Sequence, residues 1–284
     1  MSGTLYIVAT PIGNLEDITL RALNVLKSVD LIAAEDTRVT HILLAHYGID
    51  TPTTPYHQHS LGQKAAQLIE KLQSGSDIAV VSDAGMPGIS DPGHEIIQLA
   101  IQNDVAVVVI PGASAILTAL VESGLPTRRF TFEGFLPRKG ADRRTRLREL
   151  ATEPRTMVFY ESPHRIIAAL KDMKEVLGDR PLCFMREATK KFEEVHRGTA
   201  ESALRSFDDR QPRGEFTLVV AGCSEETPSP EDREDIVDDL LKECLAQEIS
   251  ERDAVRKVSE TLSIPKKEVY RRMLDLKRDY SPDE

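Results

Sequence analysis

The chain contains no tryptophan, only three cysteines, and no apolar run of membrane length. Cys183, Cys223 and Cys244 are scattered and form no C-x-x-C pair. That excludes a disulfide framework and a cysteine-based zinc site. The longest apolar runs, such as VAVVVI (105–110), have strand length, far below the roughly 20 residues of a membrane helix. The first strand-like run begins at Leu5, which leaves no room for a secretory leader ahead of it. These absences predict a cytoplasmic protein without a membrane segment. No G-x-G-x-x-G follows the first strand and no G-x-x-x-x-G-K-[ST] occurs, so dinucleotide and P-loop signatures are missing. His57 and His59 form an H-x-H in YHQH, but no third ligand stands near them, so no metal is expected.

What is present is a chain of 284 residues, 40% hydrophobic and 29% charged, enough for two or three modest domains. The net charge of −10 disfavours nucleic acid as a partner, but its distribution is uneven. Residues 225–251 carry eleven acidic and two basic side chains. Residues 128–148 carry eight basic and two acidic ones, and residues 252–278 nine and four. Two basic segments in an acidic protein are compatible with a phosphate backbone.

The first part alternates short runs rich in Val, Ile and Ala with helical periodicity. Strands are expected at 5–10, 31–36, 78–83 and 105–112. Helices are expected at 17–29, 40–48, 60–75, 93–103 and 113–124. Continuous apolar strands suit a parallel sheet covered on both faces. The second part has strands at 130–135, 156–162, 182–187, 192–198 and 216–222, several of them alternating, which predicts a mixed sheet. After a polar linker the tail reads as three helices. The second is capped by Ser250, and the third is opened by Ser263 and Pro265. The last two resemble a helix-turn-helix, which serves nucleic-acid contact or only packs. The expected domains are 1–120, an α/β domain with a mostly parallel sheet; 121–224, an α/β domain with a mixed sheet; and 230–284, helical.

Four loops rich in Gly, Pro, Asp and Thr end consecutive strands of the first part. They are TPIGN (10–14), AEDTR (34–38), SDAGMPGISDPG (82–93) and PGASA (111–115). One such loop is ordinary turn chemistry. Four at the carboxyl edge of one sheet predict a ligand cleft. The end of the third, SDPG, is expected to cap the next helix through Ser90 or Asp91. The second part adds GFLPRK, YESPHR, REATK and RGEF. In these, Glu161 and Glu187 are candidates for a base or for ion pairs with arginines such as Arg165 and Arg186.

Taken in order, these eight segments closely resemble the tetrapyrrole-methylase superfamily, and within it the branch that methylates small-subunit ribosomal RNA. The resemblance covers residues 4–222 and extends to the helical tail. One position departs: the family pattern has Thr where this chain has Met86. The resemblance implies a two-domain class III methyltransferase fold with S-adenosylmethionine in the cleft. It also implies a homodimer and methylation of a cytidine ribose 2′-hydroxyl in the decoding region of 16S rRNA. Cofactor contacts would fall on Pro11 and Gly13, on Asp83, Ala84, Gly85 and Pro87, and on Gly112, Ser114 and Ala115. From the second part they would fall on Met185, Ala188 and Gly214. A sulfonium is an activated methyl donor, so the reaction needs in-line positioning and removal of one proton, with no metal. Asp36, Glu161 and Glu187 are the candidate bases, and Lys190 is a candidate for lowering the hydroxyl's pKa by its charge. Arg128, Lys139, Arg143 and Arg144 would hold phosphates, with Lys266, Lys267 and Arg271 on the last helix. Two readings compete: a small-molecule methyltransferase for a tetrapyrrole-like substrate, and a non-catalytic rRNA-binding protein. The first has no use for the basic segments, and the second has none for an intact cofactor cleft.

Overall fold

The computed structural model describes residues 2–57, 61–223, 237–244, 249–262 and 266–279. The chain divides into two compact units, 1–223 and 224–284.

The first unit holds two five-stranded sheets. The first sheet contains β1 (Thr4–Val8), β2 (Leu31–Ala34), β3 (Thr53–Pro55), β4 (Ile78–Val81) and β5 (Ala106–Ile110), all parallel, in the order β3-β2-β4-β1-β5. The helices between them are α1 (Leu20–Ser28), α2 (Thr37–His46), α3 (Leu61–Gln73) and α4 (His94–Gln102). Alternation along the central strands splits the core. Leu5 and Ile7 of β1, with Ile78 and Val80 of β4, pack under α3 and α4. Val8, Ala79 and Val81 pack under α1 and α2. From β1 the chain runs to β2 across β4, and from β4 to β5 across β1. These opposite connections place their helices on opposite faces, as right-handed crossovers do. The loops after β1 and β4 therefore part at a switch point, where a crevice opens at the carboxyl edge.

Local chemistry explains the boundaries. The Thr19 hydroxyl accepts the Ala22 N–H at 3.0 Å, so α1 starts at Leu20 rather than near 17. Asp36 caps α2 through the Arg38 N–H at 2.8 Å. Two expectations are corrected. Strand β3 was not expected because TTP is short and polar; it forms at an edge, where proline is tolerated. Helix α4 is capped by Gly93 with no side-chain bond, so Ser90 and Asp91 are not its caps.

After β5 comes α5 (Ala115–Glu122), capped by Ser114. Its Ala119 and Leu120 pack on Val158, Cys183 and Val219 of the second sheet. That sheet contains β6 (Phe130–Phe135), β7 (Thr156–Glu161), β8 (Pro181–Arg186), β9 (Glu194–Thr199) and β10 (Phe216–Val220), in the order β6-β7-β10-β8-β9. Strands β6 and β7 are parallel and the other pairs antiparallel, so the sheet is mixed as expected. Its other face is covered by α6 (Gly140–Glu149), α7 (Ile166–Leu177) and α8 (Ala200–Arg205).

In the second unit residues 237–244 are helical (α9), followed by α10 (Glu251–Leu262) and α11 (Lys266–Asp279). Leu241, Val258, Val269 and Met273 centre its own apolar core. The Ser250 hydroxyl accepts the Asp253 N–H at 3.3 Å, the expected cap of α10. Arg272 pairs with Asp238 through two bonds of 2.7 and 2.9 Å. Ser263 and Pro265, the expected start of the last helix, and His59 lie outside the described residues.

Candidate active site

The β1 and β4 loops are tied together at the switch point. Thr10 and Gly85 exchange backbone hydrogen bonds of 2.9 and 3.1 Å, and the Thr10 hydroxyl donates to the Ser82 carbonyl at 3.1 Å. Gly85 has φ +80°, the left-handed region that side chains resist. A loop of the second sheet presses on the first. A Cβ at Gly13 would sit 2.8 Å from the Ala188 carbonyl oxygen and 2.9 Å from Thr189 Oγ1, against the stem of Lys190. The Asn14 N–H donates to Thr189 Oγ1 at 3.1 Å. Glu187 and Thr189 hold positive φ of 53° and 62°, so this turn is strained where it meets its neighbour.

Between these loops and the second sheet lies a cavity of about 560 Å³. Ala84, Gly85, Ser114, Ala115, Met185 and Ala188 line it, six of the expected cofactor positions. Pro11, Gly13 and Asp83 line a neighbouring cavity of about 380 Å³ instead. Pro87, Gly112 and Gly214 line neither; Gly112 packs against Ala9 and Gly214 against Glu187. The far wall is aromatic. Phe132 meets Tyr160 edge-on at 5.0 Å, and Phe135 lies 5.7 Å from the same ring. Sequence reasoning missed this wall, although F-T-F-E-G-F shows the alternation that aims Phe130 and Phe132 to one side. Met86 both lines the cavity and packs on the core beneath α4. Its long apolar side chain thus fills a gap between ligand space and sheet.

One rim is acidic. The Asp36 N–H donates to Asp83 Oδ1 at 2.9 Å, and the Asp83 N–H to Glu35 Oε2 at 3.2 Å. Burial first, then the neighbouring carboxylates, raises the pKa of Glu35 and Asp83. Asp91, facing the larger cavity, is pushed up to about 7 by burial and then by Glu35, Asp83 and Glu215. Between about pH 4 and 7 the folded chain keeps a proton that the unfolded chain has released. Asp91 therefore makes stability fall as pH rises through that window. Asp91→Asn removes the effect. Its thermal midpoint should match the parent's near pH 4.5 and exceed it near pH 8, which a series of melts across pH checks.

The candidate catalytic groups separate by geometry. The carboxylate of Asp36 is committed to Arg38 at 2.6 Å, which holds it at about 2 and makes it a weak base. Glu161 is buried, accepts the Ser162 N–H at 2.8 Å and lies 3.3 Å from Arg165, the pairing alternative expected for it. Burial raises its pKa. Glu187 Oε1 accepts from Lys190 Nζ and from the Glu215 N–H, both at 3.1 Å. Burial raises the Glu187 pKa, but those bonds outweigh it and the net shift is downward. Burial likewise lowers Lys190, yet Glu187 and Glu215 reverse the shift, so Lys190 stays an ammonium. Glu187 positions Lys190, and Lys190 faces the smaller cavity.

The basic segment is only partly free. The expectation for Arg143 is corrected. Its guanidinium is 8% exposed and lies 2.6 Å from Asp172, itself 9% exposed, so it braces α6 on α7 rather than meeting a phosphate. Arg144 reaches the same Asp172 at 3.2 Å from a half-buried position. Arg128 and Lys139 are exposed, as are Lys266 and Arg271 of the second unit; nothing is described for the side chain of Lys267. Among the described residues no three His, Cys, Asp or Glu side chains could hold a metal, and no helix is long and apolar enough to cross a membrane.

Residues 4–204 match the family of Tetrapyrrole (Corrin/Porphyrin) Methylases. The chain is similar to ribosomal RNA small subunit methyltransferase I of Synechocystis sp., 46% identical over 98% of this chain and 99% of that protein. It is similar also to the protein of that name from Bacillus subtilis, 44% identical over 94% and 93%. Among solved structures, uroporphyrin-III C-methyltransferase from Thermus thermophilus, complexed with S-adenyl homocysteine, shares the fold. Its TM-score is 0.54 at 20% identity, covering 76% of this chain and 97% of that one. Diphthine synthase shares it with a TM-score of 0.58 at 16% identity over 77% and 90%.

Proposed function

Because the chain belongs to the ribosomal RNA small subunit methyltransferase I family, we propose that it transfers a methyl group from S-adenosylmethionine to the ribose 2′-hydroxyl of a cytidine in the decoding region of 16S rRNA. The observation that carries this reading is the larger cavity. Its aromatic and aliphatic walls suit a flat purine, and the negative field that Glu35, Asp83 and Glu215 set up around Asp91 suits a ligand bearing an ammonium and a sulfonium. Bound S-adenosylmethionine supplies a methyl already activated for transfer.

In this reading Ala84, Gly85, Ser114 and Ala115 hold the cofactor from the first sheet, and Met185 and Ala188 from the second. Pro11, Gly13 and Asp83 shape the passage to the smaller cavity, while Pro87, Gly112 and Gly214 brace the loops. Lys190, kept charged by Glu187, stabilises negative charge that develops on the acceptor oxygen. The working domains are 1–120, 121–224 and 230–284. Val109 on the edge strand β5 and Val121 on α5 are 52% and 73% exposed, apolar surface that suits a homodimer. A cytoplasmic location follows from the substrate.

Arg128 and Lys139, with Lys266 and Arg271, would hold phosphates and set register rather than sequence. Replacing Arg128 and Lys139 with Ala should weaken RNA binding and flatten the log–log salt slope by about 0.7–0.9 for each phosphate no longer neutralised. Binding titrations at several salt concentrations check this; an unchanged slope would remove these residues from the interface. The atom assignment is tested by digesting methylated rRNA with alkali. A 2′-O-methyl cytidine leaves an alkali-resistant dinucleotide, whereas a base methyl leaves every phosphodiester cleavable.

A further inference from the structure

The smaller cavity lies beside the β1 and β4 loops and is walled by Leu15, Val39, Ile42 and Leu43. Among the described residues Ile12, Ala84 and Glu215 line both cavities and so mark their joint. Only Glu215 of these three has an ionisable side chain. Its Oε2 is 3.1 Å from Lys190 Nζ, and its backbone N–H is held by Glu187 at 3.1 Å. Asp83 faces the smaller cavity and Asp91 the larger, so neither reaches both.

We infer that the smaller cavity receives the target nucleoside of the RNA, and that Glu215, held beside Lys190, accepts the proton of its ribose hydroxyl. This rests on the reading under Proposed function. A stacked nucleotide cannot reach a cleft between two sheets and must leave its stack to enter one. Its base then needs an apolar wall. Ile42 offers one, 66% exposed on α2 beside the half-solvated Val39. Its sugar needs polar groups at the cofactor end, where Glu215 and Lys190 stand. In the transfer the O–H bond breaks and its proton passes to the Glu215 carboxylate. An oxygen lone pair forms the bond to the methyl carbon, and the carbon–sulfur bond breaks with its pair going to sulfur, whose positive charge is lost. The Lys190 ammonium faces the oxygen as its charge grows.

Ile42→Glu and Glu215→Gln, compared with the parent chain, test this in three measurements. These are S-adenosylhomocysteine binding by calorimetry, equilibrium binding of small ribosomal subunits lacking the modification, and single-turnover methyl transfer. Both variants should melt as the parent does and bind S-adenosylhomocysteine within about twofold of it, because Ile42 lines only the smaller cavity and glutamine keeps the size and hydrogen-bonding reach of Glu215 at the joint. Ile42→Glu should weaken subunit binding by about tenfold or more, as a charge placed in an apolar wall and beside RNA. Glu215→Gln should bind both ligands normally and lose about 10²-fold in single-turnover rate, with partial recovery in Glu215→Asp. Normal subunit binding and transfer by Ile42→Glu would overturn the pocket. A single-turnover rate of Glu215→Gln near the parent's would overturn the proton acceptor. If the parent itself fails to bind S-adenosylhomocysteine, the proposed function falls, a result separate from either variant's behaviour.

Discussion

Replacing Gly13 with alanine should lower methyl transfer by about 10²-fold, because displacement of a positioned group by about 1 Å has that effect. The added methyl would meet the Ala188 carbonyl oxygen at 2.8 Å and Thr189 Oγ1 at 2.9 Å. Backbone cannot yield as a flexible side chain does, so the 187–190 turn must move away from the β1 loop. That turn is already strained at Glu187 and Thr189, and it carries Lys190. The bond from the Asn14 N–H to Thr189 would break as well. The cores under both sheets are untouched, so the melting temperature should stay within a few degrees of the parent's. Single-turnover kinetics together with a melt separate this outcome from general unfolding. Activity near the parent's would mean that the two loops need not meet.

Asp172→Ala should cost about 3–5 kcal/mol, the usual penalty for stranding one partner of a buried ion pair. Arg143 would keep its charge at 8% exposure without the carboxylate it pairs with, and Arg144 would lose the same partner. The expected fall in melting temperature is on the order of 10 °C for a unit of this size. Pairing Asp172→Leu with Arg143→Met should recover much of the loss, since apolar replacement of a buried pair is often neutral or better. Methyl transfer by the double variant should stay near the parent's below its melting temperature. A double variant as unstable as the single one would show that the ion pair does more than fill and neutralise its site.

Much of the architecture was legible because chemistry changes abruptly at the strand ends. Val, Ile and Ala runs that stop at Thr10, Glu35, Ser82 and Pro111 announce buried parallel strands followed by loops at one edge. What stayed hidden depended on packing direction. Arg143 shares a helix face with Leu147 and Leu150, which are buried, and that spacing was the signal that it turns inward. Asp91 looked like a helix cap because SDPG has cap composition, but Gly93 takes that position and leaves Asp91 to the cavity. Glu215 sat in RGEF without distinction. Its role at the joint depends on two loops from different sheets, and no local pattern reports that.

The most direct measurement is transfer of labelled methyl from S-adenosylmethionine to small ribosomal subunits that lack the modification, with the labelled RNA nucleotide mapped. The account predicts label in 16S rRNA, at one cytidine of the decoding region. A chain that binds S-adenosylmethionine yet leaves these subunits unlabelled would contradict it.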